Sequence, residues 1–306
     1  MYKFVSLVLL ITSMSVQLWA SAGDLVKTEV TPSNQQMRII ASGGSITEII
    51  YALGKQQLIV ATDSTSLFPA PAAALPKLGY FRQLSTEGIL RFQPTHLFGA
   101  QATGPETLSA QLEAAGIEVH IFNEQRDVAG LHQLISELGQ LLSSVDKAEQ
   151  LNASITAQVK ALKSEAQERI KTNQSIGNTK PLTALFVMSD SDRGLTVAGG
   201  NTVPQALFDD AGIKNAAQSL ADYKVMDNES ILAANPDIIF VASHRVKDNQ
   251  ALQRLCQHPA LKATHAGRNC VISTMESSSA LGLSPRYPQA LHTVLARTAS
   301  FYADAH

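Results

Sequence analysis

Two kinds of hydrophobic pattern alternate along most of the chain. Apolar residues at three- and four-residue steps predict helices, as in the stretch from Ile46 to Leu53, which follows Ser45 and ends at Gly54. Short apolar runs predict strands at Arg38 to Ala41, Gln57 to Ala61, Thr95 to Ala100, Ile117 to Phe122, Leu182 to Met188, Asp237 to Ala242 and Asn269 to Ser273. Strands that alternate with helices predict parallel sheets covered by helices.

The alternation stops between residues 127 and 178. From Val128 to Lys171 Gly and Pro are almost absent, and apolar residues recur at helical spacing between Leu151 and Leu162. This predicts a long helix, in one or two segments. Its position midway along the chain favours a connector between two lobes over a surface helix of a single domain. We therefore expect an N-terminal α/β lobe over residues 36–126, a connecting helical segment over 127–178 and a C-terminal α/β lobe over 179–306.

An internal repeat supports the two lobes. The segment LSTEGILRFQPTHLFGA from Leu84 to Ala100 aligns without a gap with MDNESILAANPDIIFVA from Met226 to Ala242, with six of seventeen positions identical. Each copy predicts a capped helical turn, a proline and then a buried strand. Two similar lobes create a cleft, and clefts between domains are common ligand sites.

The first residues differ from the rest. A short, weakly positive start to Lys3 is followed by an apolar stretch to Trp19 and by the small residues Ala20, Ser21 and Ala22. This predicts a cleaved signal peptide over residues 1–22. The alternative is a membrane anchor, but the stretch is shorter than a bilayer requires and contains Ser and Thr. We expect an exported protein that is soluble once the peptide is removed.

Composition and charge narrow the range of partners. The 306 residues suffice for two lobes that each bury a core, and 45% apolar with 16% charged residues is ordinary for a soluble protein. The formal net charge of −2 provides no basic excess, which argues against a nucleic-acid partner. The chain has two cysteines, Cys256 and Cys270. In an oxidising compartment they form either a disulfide or two buried thiols, and spacing alone does not decide between these.

Three segments carry a resemblance to a known family: ASGGSITEIIYALG at Ala41 to Gly54, LGYFRQLSTEG at Leu78 to Gly88, and GLTVAGGNT at Gly194 to Thr202. From about Arg38 onwards the chain resembles the periplasmic binding proteins of ABC importers that carry siderophores, cobalamin and haem, and among these the haem carriers. The resemblance implies an α/β fold of two Rossmann-like α/β lobes joined by a long interlobe helix. It also implies a periplasmic monomer that captures haem in the interlobe cleft and delivers it to an inner-membrane permease dimer.

Tyr80 is the residue that the resemblance identifies as the axial ligand of the haem iron. A phenol ionises only near pH 10, so it needs ferric iron or a nearby cation to act as a phenolate ligand. Phenolate oxygen is a known axial ligand of haem iron. Arg82 follows two residues later, and in an extended segment it would lie on the same side as Tyr80, as a cation for the phenolate or a partner for a propionate. The alternative is an aromatic side chain packed at a lobe edge.

A second axial ligand is not indicated. Some haem carriers have a histidine in the loop that reads Met188 to Ser191 here, and this loop contains none. His244 and Arg245 follow a predicted strand of the second lobe, where strand ends face the ligand crevice. Arg245 is a candidate for the phenolate or a propionate. His244 is either a sixth ligand or a solvated loop residue, and Met275 is a candidate for lining the cleft.

Glu87 and Glu229 occupy the same place in the two copies of the repeat. The resemblance implies that one exposed acidic residue on each lobe docks on the permease, and such a pair suits a two-fold permease dimer. A helix dipole also favours an acidic residue in a first helical turn, and both explanations can hold at once.

Other functions fit less well. The sequence has no nucleophile elbow, phosphate-binding loop or dinucleotide-binding glycine pattern, so we do not expect an enzyme. The histidines show no metal-binding spacing, which argues against a carrier of bare zinc or manganese. A cobalamin or ferric-siderophore binding protein remains the main alternative, and a haem chaperone that works without a permease is a further one.

Overall fold

The computed structural model describes residues 36–122, 125–175, 180–191, 194–246 and 248–304. The predicted signal peptide over residues 1–22 lies outside these residues. The alternating strands and helices on either side of the connecting segment form two α/β lobes, so the predicted fold class is confirmed. No helix in the described part of the chain is long and apolar enough to cross a membrane.

The first lobe is built on a four-stranded parallel sheet with the strand order β2-β1-β3-β4. All four residues of its inner strand β1 are buried, because helices cover both faces of the sheet. The strands are β1 (Ile39–Ser42), β2 (Ile59–Thr62), β3 (His96–Gly99) and β4 (Glu118–Ile121). The helices are α1 (Gly44–Ala52), α2 (Ala70–Ala73), α3 (Thr86–Leu90) and α4 (Leu108–Ala114).

The connecting segment forms two helices, α5 (Val128–Leu141) and α6 (Val145–Ser175). Helix α6 has 31 residues and buries Ile155 and Val159 in the main hydrophobic core. It is also fixed to the second lobe by two contacts. Lys163 forms an ion pair with Asp210 at 2.5 Å, and the Nη1 of Arg169 donates a hydrogen bond to the Leu295 carbonyl. The long interlobe helix is therefore confirmed. The exact lobe boundaries stay a prediction.

The second lobe is built on a six-stranded sheet with the order β10-β9-β5-β6-β8, in which β7 also pairs with β5. The strands are β5 (Thr183–Ser191), β6 (Gly194–Ala198), β7 (Lys214–Asn215), β8 (Tyr223–Met226), β9 (Ile238–Ala242) and β10 (Ile272–Met275). The helices are α7 (Val203–Ala211), α8 (Asn228–Ala234), α9 (Asn249–Cys256), α10 (His265–Arg268), α11 (Ser277–Leu281) and α12 (Tyr287–Asp304).

The expectation of purely parallel sheets is wrong for this lobe. Strand β6 runs antiparallel to both β5 and β8. The reason is the short connection after β5, in which Ser191 already pairs with Gly194, so the chain reverses without a crossover helix.

The sequence repeat corresponds to equivalent structural units, α3 followed by β3 and α8 followed by β9. Each helix has a side-chain cap, in which Ser85 accepts from the Gly88 N–H and Asp227 accepts from the Ser230 N–H. After each helix the backbone turns through the left-handed region, with φ of 47° at Gln93 and 39° at Asn235. A proline and the buried strand follow in both copies. The two lobes thus share this unit, including the way in which its helix begins and ends.

Cys256 at the end of α9 and Cys270 before β10 form a disulfide, with Cα atoms 5.3 Å apart. They are 14 residues apart in sequence, so the bond closes a short loop. Restriction of the unfolded chain by a loop of this size is worth about 3 kcal/mol. Urea unfolding with and without a reductant should show a loss of this order, and the Cys256→Ser, Cys270→Ser double variant should show no reductant effect. Equal stability of the oxidised and reduced protein would contradict this expectation.

Candidate ligand site between the two lobes

The carboxyl ends of parallel strands form the edge at which open α/β sheets bind ligands. Tyr80 belongs to the segment between α2 and α3, and backbone hydrogen bonds hold this segment at the carboxyl end of β2. The Leu78 N–H donates to the Thr62 carbonyl at 2.9 Å, and the Ser64 N–H donates to the Gly79 carbonyl at 2.7 Å. Tyr80 therefore lies at the edge of the first sheet where a ligand is expected.

The backbone at Tyr80 makes a sharp change of direction. Gly79 has a φ of 95°, in the region that favours glycine, and Tyr80 is extended with a ψ of 131°. A single turn of 3-10 helix follows at Phe81–Gln83. The Tyr80 ring meets the Phe81 ring edge-on with 4.8 Å between the centroids, and 45% of Tyr80 is exposed. The phenol is thus supported on one side and accessible on the other.

A buried carboxylate organises the loop that supports this segment. Asp63 is fully buried and accepts hydrogen bonds from the Gly43 N–H at 2.9 Å, the Thr65 N–H at 2.8 Å and the Ser66 hydroxyl at 2.6 Å. These bonds fix the turn that contains Ser64, which holds the Gly79 carbonyl. On the other side of Tyr80, the Phe81 carbonyl accepts from the Gly104 N–H at 3.0 Å. The position of Tyr80 is consequently defined by two neighbouring loops.

Arg82 does not have the geometry that the sequence predicted. The prediction assumed an extended segment in which residues two apart share a side, but residues 81–83 form a 3-10 helix with three residues per turn. The guanidinium carbon of Arg82 lies 5.4 Å from the centre of the Phe81 ring. No described contact joins Arg82 to the Tyr80 hydroxyl. Because of this helical turn, Tyr80 and Arg82 do not share a side as they would in an extended segment.

The candidate residues of the second lobe, His244, Arg245 and Met275, differ in their surroundings. His244 lies exposed in a short 3-10 helix after β9, and its Nδ1 lies 2.8 Å from the Ser277 hydroxyl. Met275 is only 2% exposed and packs in the main core. The expectation that Met275 lines the cleft is therefore not supported, because its side chain is used for packing. The backbone of Arg245 ends the same 3-10 helix as His244, while its side chain lies outside what the structure describes.

An ion pair joins the two lobes beside this edge. Arg286, which precedes α12, binds both carboxylate oxygens of Glu48 on α1, with Nη2 to Oε1 at 2.6 Å and Nε to Oε2 at 2.9 Å. Its Nη1 lies 2.9 Å from a carboxylate oxygen of Glu276, which caps α11. The Arg286 guanidinium also stacks on the Phe68 ring, 4.0 Å from its centre. The Arg286 guanidinium thus binds a carboxylate of each lobe and fixes the position of one lobe relative to the other.

Glu87 and Glu229 lie in the first turns of α3 and α8. Both are exposed, and Glu87 forms a surface pair with Arg91 at 2.7 Å. They occupy equivalent positions on the two lobes, as the repeat predicted. The geometry is compatible with docking and also with simple stabilisation of each helix start.

Two surface cavities of about 340 and 360 Å³ lie along the connecting helices. They share Val128, Val159 and Lys163 in their walls, and neither is lined by Tyr80. The strand edge, unlike these cavities, combines an accessible phenol with aromatic and cationic side chains.

Several residues at this edge were not identified from the sequence. Phe81 lies within the predicted motif, and its aromatic character was the available signal. Phe68 and Arg286 carried no local signal, because their contact joins distant parts of the chain. Arg126 before α5 was also missed. The Nη2 of Arg126 lies 2.8 Å from the Gln101 side-chain oxygen, again at the carboxyl edge of the first sheet.

Solved structures with the same fold include haem-binding proteins. The periplasmic haem-binding protein RhuT from Roseiflexus is 33% identical with a TM-score of 0.78, and the alignment covers 89% of this chain and 100% of that chain. The periplasmic haem-binding protein HutB of Vibrio cholerae is 32% identical with a TM-score of 0.71, covering 85% of this chain and 98% of that chain.

Curated relatives are more distant and carry other names. The vitamin B12-binding protein of Vibrio campbellii is 24% identical over 69% of this chain and 73% of its own length. The ABC transporter substrate-binding lipoprotein YvrC of Bacillus subtilis is 23% identical over 71% of this chain and 67% of its own length. These relatives are substrate-binding transport proteins, not enzymes.

The family described as periplasmic binding protein matches residues 39–278, which include both sheets and the connecting helices. With two α/β lobes and a long interlobe helix, the chain belongs to the periplasmic binding proteins, the substrate-binding components of ABC importers.

Proposed function

We propose that the protein captures haem between its lobes, with Tyr80 as an axial ligand of the ferric iron. The observation that carries this proposal is the exposed Tyr80 phenol, fixed at the carboxyl edge of the first sheet by the loops around Ser64 and Gly104. Ferric iron lowers the cost of ionising a phenol, and phenolate is an established type of haem ligand. The haem-binding proteins among the solved relatives support the choice of ligand.

The surroundings of Tyr80 suit a flat, largely apolar molecule with acidic groups. Phe81 lies against Tyr80, and the loop after β2 exposes Leu67 and Phe68 to 61% and 43%. Apolar faces of this kind favour stacking with a macrocycle. Arg82 provides a positive charge that can pair with a propionate, a role that fits its position on Phe81 better than direct support of the Tyr80 phenolate. His244 stays a candidate for a sixth ligand on the opposite lobe.

Cobalamin is the second candidate, and the names of the curated relatives favour it. Titration with haem, cyanocobalamin and a ferric siderophore distinguishes these ligands. We expect one equivalent of haem to bind with a change of its absorbance spectrum, and binding of the other two to be weaker by on the order of 100-fold. Preferential binding of cyanocobalamin would overturn the haem assignment while leaving the family membership intact.

We further propose that the protein is exported to the periplasm as a soluble monomer and delivers haem to a permease dimer. The sequence at residues 1–22 supports export, and the equivalent positions of Glu87 and Glu229 support two-point docking. A haem chaperone without a permease would use these two glutamates only to stabilise the helix starts.

Charge reversal of both glutamates should abolish delivery without affecting ligand capture. The Glu87→Lys, Glu229→Lys double variant should reduce permease-dependent haem uptake by more than tenfold, because it places positive charge against a basic docking surface. Its haem affinity in solution should remain within about twofold of the wild type, since neither residue contacts the proposed site.

Glu113→Lys is a matched control, because Glu113 is an exposed glutamate on α4 of the same lobe. Uptake by this variant should equal that of the wild type. Normal uptake by the double variant would remove Glu87 and Glu229 from docking and would favour a function without a permease.

A further inference from the structure

Leu90 on α3 and Leu232 on α8 are large apolar side chains that lie on the surface, with 37% and 48% exposed. Neither leucine packs against any of the three hydrophobic clusters in the described part of the chain. The preceding residues, Ile89 and Ile231, are fully buried and attach each helix to the core of its own lobe. Packing of the two helices therefore does not require a leucine at the next position.

The two leucines occupy the same position of the internal repeat, in which six positions are identical in both copies. The fold explains four of these identities, which are an isoleucine in the helix, the proline, and a phenylalanine and an alanine in the strand, all buried or partly buried. The other two are exposed, namely the glutamate at Glu87 and Glu229 and the leucine at Leu90 and Leu232. A single exposed leucine is ordinary, but an exposed pair that recurs on both lobes indicates a common partner.

The glutamate and the leucine lie side by side on each helix. They are three residues apart, so their side chains are neighbours on the same helix face. Both helices also begin in the same way, with Ser85 or Asp227 as the capping residue, so the glutamate is the second residue of each helix and the leucine the fifth. Each lobe thus presents one carboxylate and one apolar side chain in the same arrangement.

We propose that Leu90 and Leu232 are apolar anchors, each of which inserts into an apolar depression on one subunit of the permease dimer. This inference rests on the proposed function, in which Glu87 and Glu229 dock on basic surfaces of the same dimer. Binding proteins of this class deliver their ligand to ABC transporter permeases, and a two-fold dimer has two equivalent surfaces for two equivalent helices. The carboxylates steer and orient the encounter, whereas burial of the leucines slows dissociation.

Charge alone would hold such a complex weakly, because ion pairs that stay exposed to water contribute little. Glu87 already has a partner in Arg91 at 2.7 Å, which a cation of the permease would have to displace. The equivalent position on the second lobe is Ala233, so Glu229 has no such competitor there. Burial of an apolar side chain is not subject to this competition and contributes on both lobes alike.

The anchors are tested by measuring how the purified protein binds the importer of the same organism, reconstituted in lipid nanodiscs on a biosensor surface. We expect Leu90→Gln and Leu232→Gln each to weaken binding by about fivefold, and the double variant by about 25-fold, mainly through faster dissociation. Glutamine retains the helix propensity of leucine, so the apolar character is what is lost. The Leu90→Met, Leu232→Met double variant should bind within about twofold of the wild type, because methionine is apolar and similar in volume.

Three measurements separate this role from a structural or purely electrostatic one. Val145→Gln is the matched control, because Val145 is 46% exposed at the start of α6, outside the repeat, and its replacement should not change importer binding. The melting temperature of the double glutamine variant should equal that of the wild type, since neither leucine packs in a core. Added salt should weaken binding of this variant as much as that of the wild type, because both carboxylates are retained.

The outcomes distinguish the anchors from the docking glutamates. If the double glutamine variant binds the importer within about twofold of the wild type while the Glu87→Lys, Glu229→Lys variant does not bind, the anchors are overturned and two-point docking stands. An equal loss in Val145→Gln would also overturn the anchors. Absence of importer binding by the wild type would overturn the anchors together with the proposed docking. Loss in the glutamine variant with recovery in the methionine variant supports both.

Discussion

Replacing Tyr80 by phenylalanine should weaken ferric haem binding by on the order of 100-fold, which corresponds to about 2.7 kcal/mol. The substitution retains the ring and its edge-on contact with Phe81, so apolar packing is preserved. It removes the oxygen that we propose to bind iron. The affinity loss should come with a change of the haem absorbance spectrum, since the axial ligand determines the electronic state of the iron.

The variant Tyr80→His provides the complementary test, because imidazole is also an axial ligand. Its affinity should recover in part, with a spectrum that differs from those of the wild type and Tyr80→Phe. Tyr51→Phe serves as a control, since Tyr51 lies in the last turn of α1, away from the strand edge. Identical affinity and spectrum for Tyr80→Phe and the wild type would remove Tyr80 from the site.

Replacing Arg286 by methionine should lower the free energy of unfolding by about 3–5 kcal/mol. The side chain of Glu48 is only 3% exposed, and without Arg286 its charge would be buried without a counter-charge. Glu276 and the Phe68 ring would also lose their contact with the guanidinium. The effect should exceed that of any surface pair, because water cannot replace the lost partner.

Urea denaturation measures this loss. Arg91→Met is the matched control, because its pair with Glu87 is highly exposed, with side-chain exposures of 73% and 79%, and should contribute less than about 1 kcal/mol. Adding Glu48→Gln to Arg286→Met should recover part of the loss, since the stranded charge is removed. Similar losses for Arg286→Met and Arg91→Met would show that the interlobe pair is not important for stability.

The same ion pair bears on how the lobes move. Glu48 and Arg286 are 238 residues apart in sequence but bind through two hydrogen bonds between the lobes. Together with the packing of α6 against both lobes, this contact resists hinge motion. We therefore expect little closure on ligand binding in scattering experiments, and a more open ensemble in Arg286→Met.

Local patterns predicted the parts of the fold that depend on local interactions. The repeat around Glu87 and Glu229 marked the α3–β3 and α8–β9 units, because caps, prolines and buried strands all act within a few residues. The long helix α6 was predictable because helix formers continue without interruption. In contrast, the antiparallel direction of β6 depends on the short connection between Ser191 and Gly194, and a hydrophobic run does not encode the direction in which a strand pairs.

The site was less predictable than the fold. Tyr80 was identified from its motif, but the 3-10 turn at residues 81–83 changes the direction of Arg82 in a way that alternation does not describe. Met275 belongs to the core, and its apolar character could not distinguish a core position from a cleft position. Phe68 and Arg286 come together only because two separate lobes face each other. Such contacts between distant residues are set by tertiary structure.

The positions of the charges also bear on ligand choice. Relatives with this fold carry names that refer to haem or to vitamin B12. Both ligands are large tetrapyrrole-type macrocycles, so apolar surfaces such as Phe68 and Phe81 do not separate them. A phenolate ligand favours ferric haem. Selectivity would then reside in Tyr80.

Capture of ferric haem by the Tyr80 phenolate is tested most directly by the absorbance and electron paramagnetic resonance spectra of the wild-type protein titrated with ferric haem. We predict saturation at one equivalent and a high-spin ferric signal typical of phenolate ligation, which Tyr80→Phe lacks. A low-spin signal typical of two histidine ligands, a spectrum that Tyr80→Phe shares, or no binding at all would contradict it.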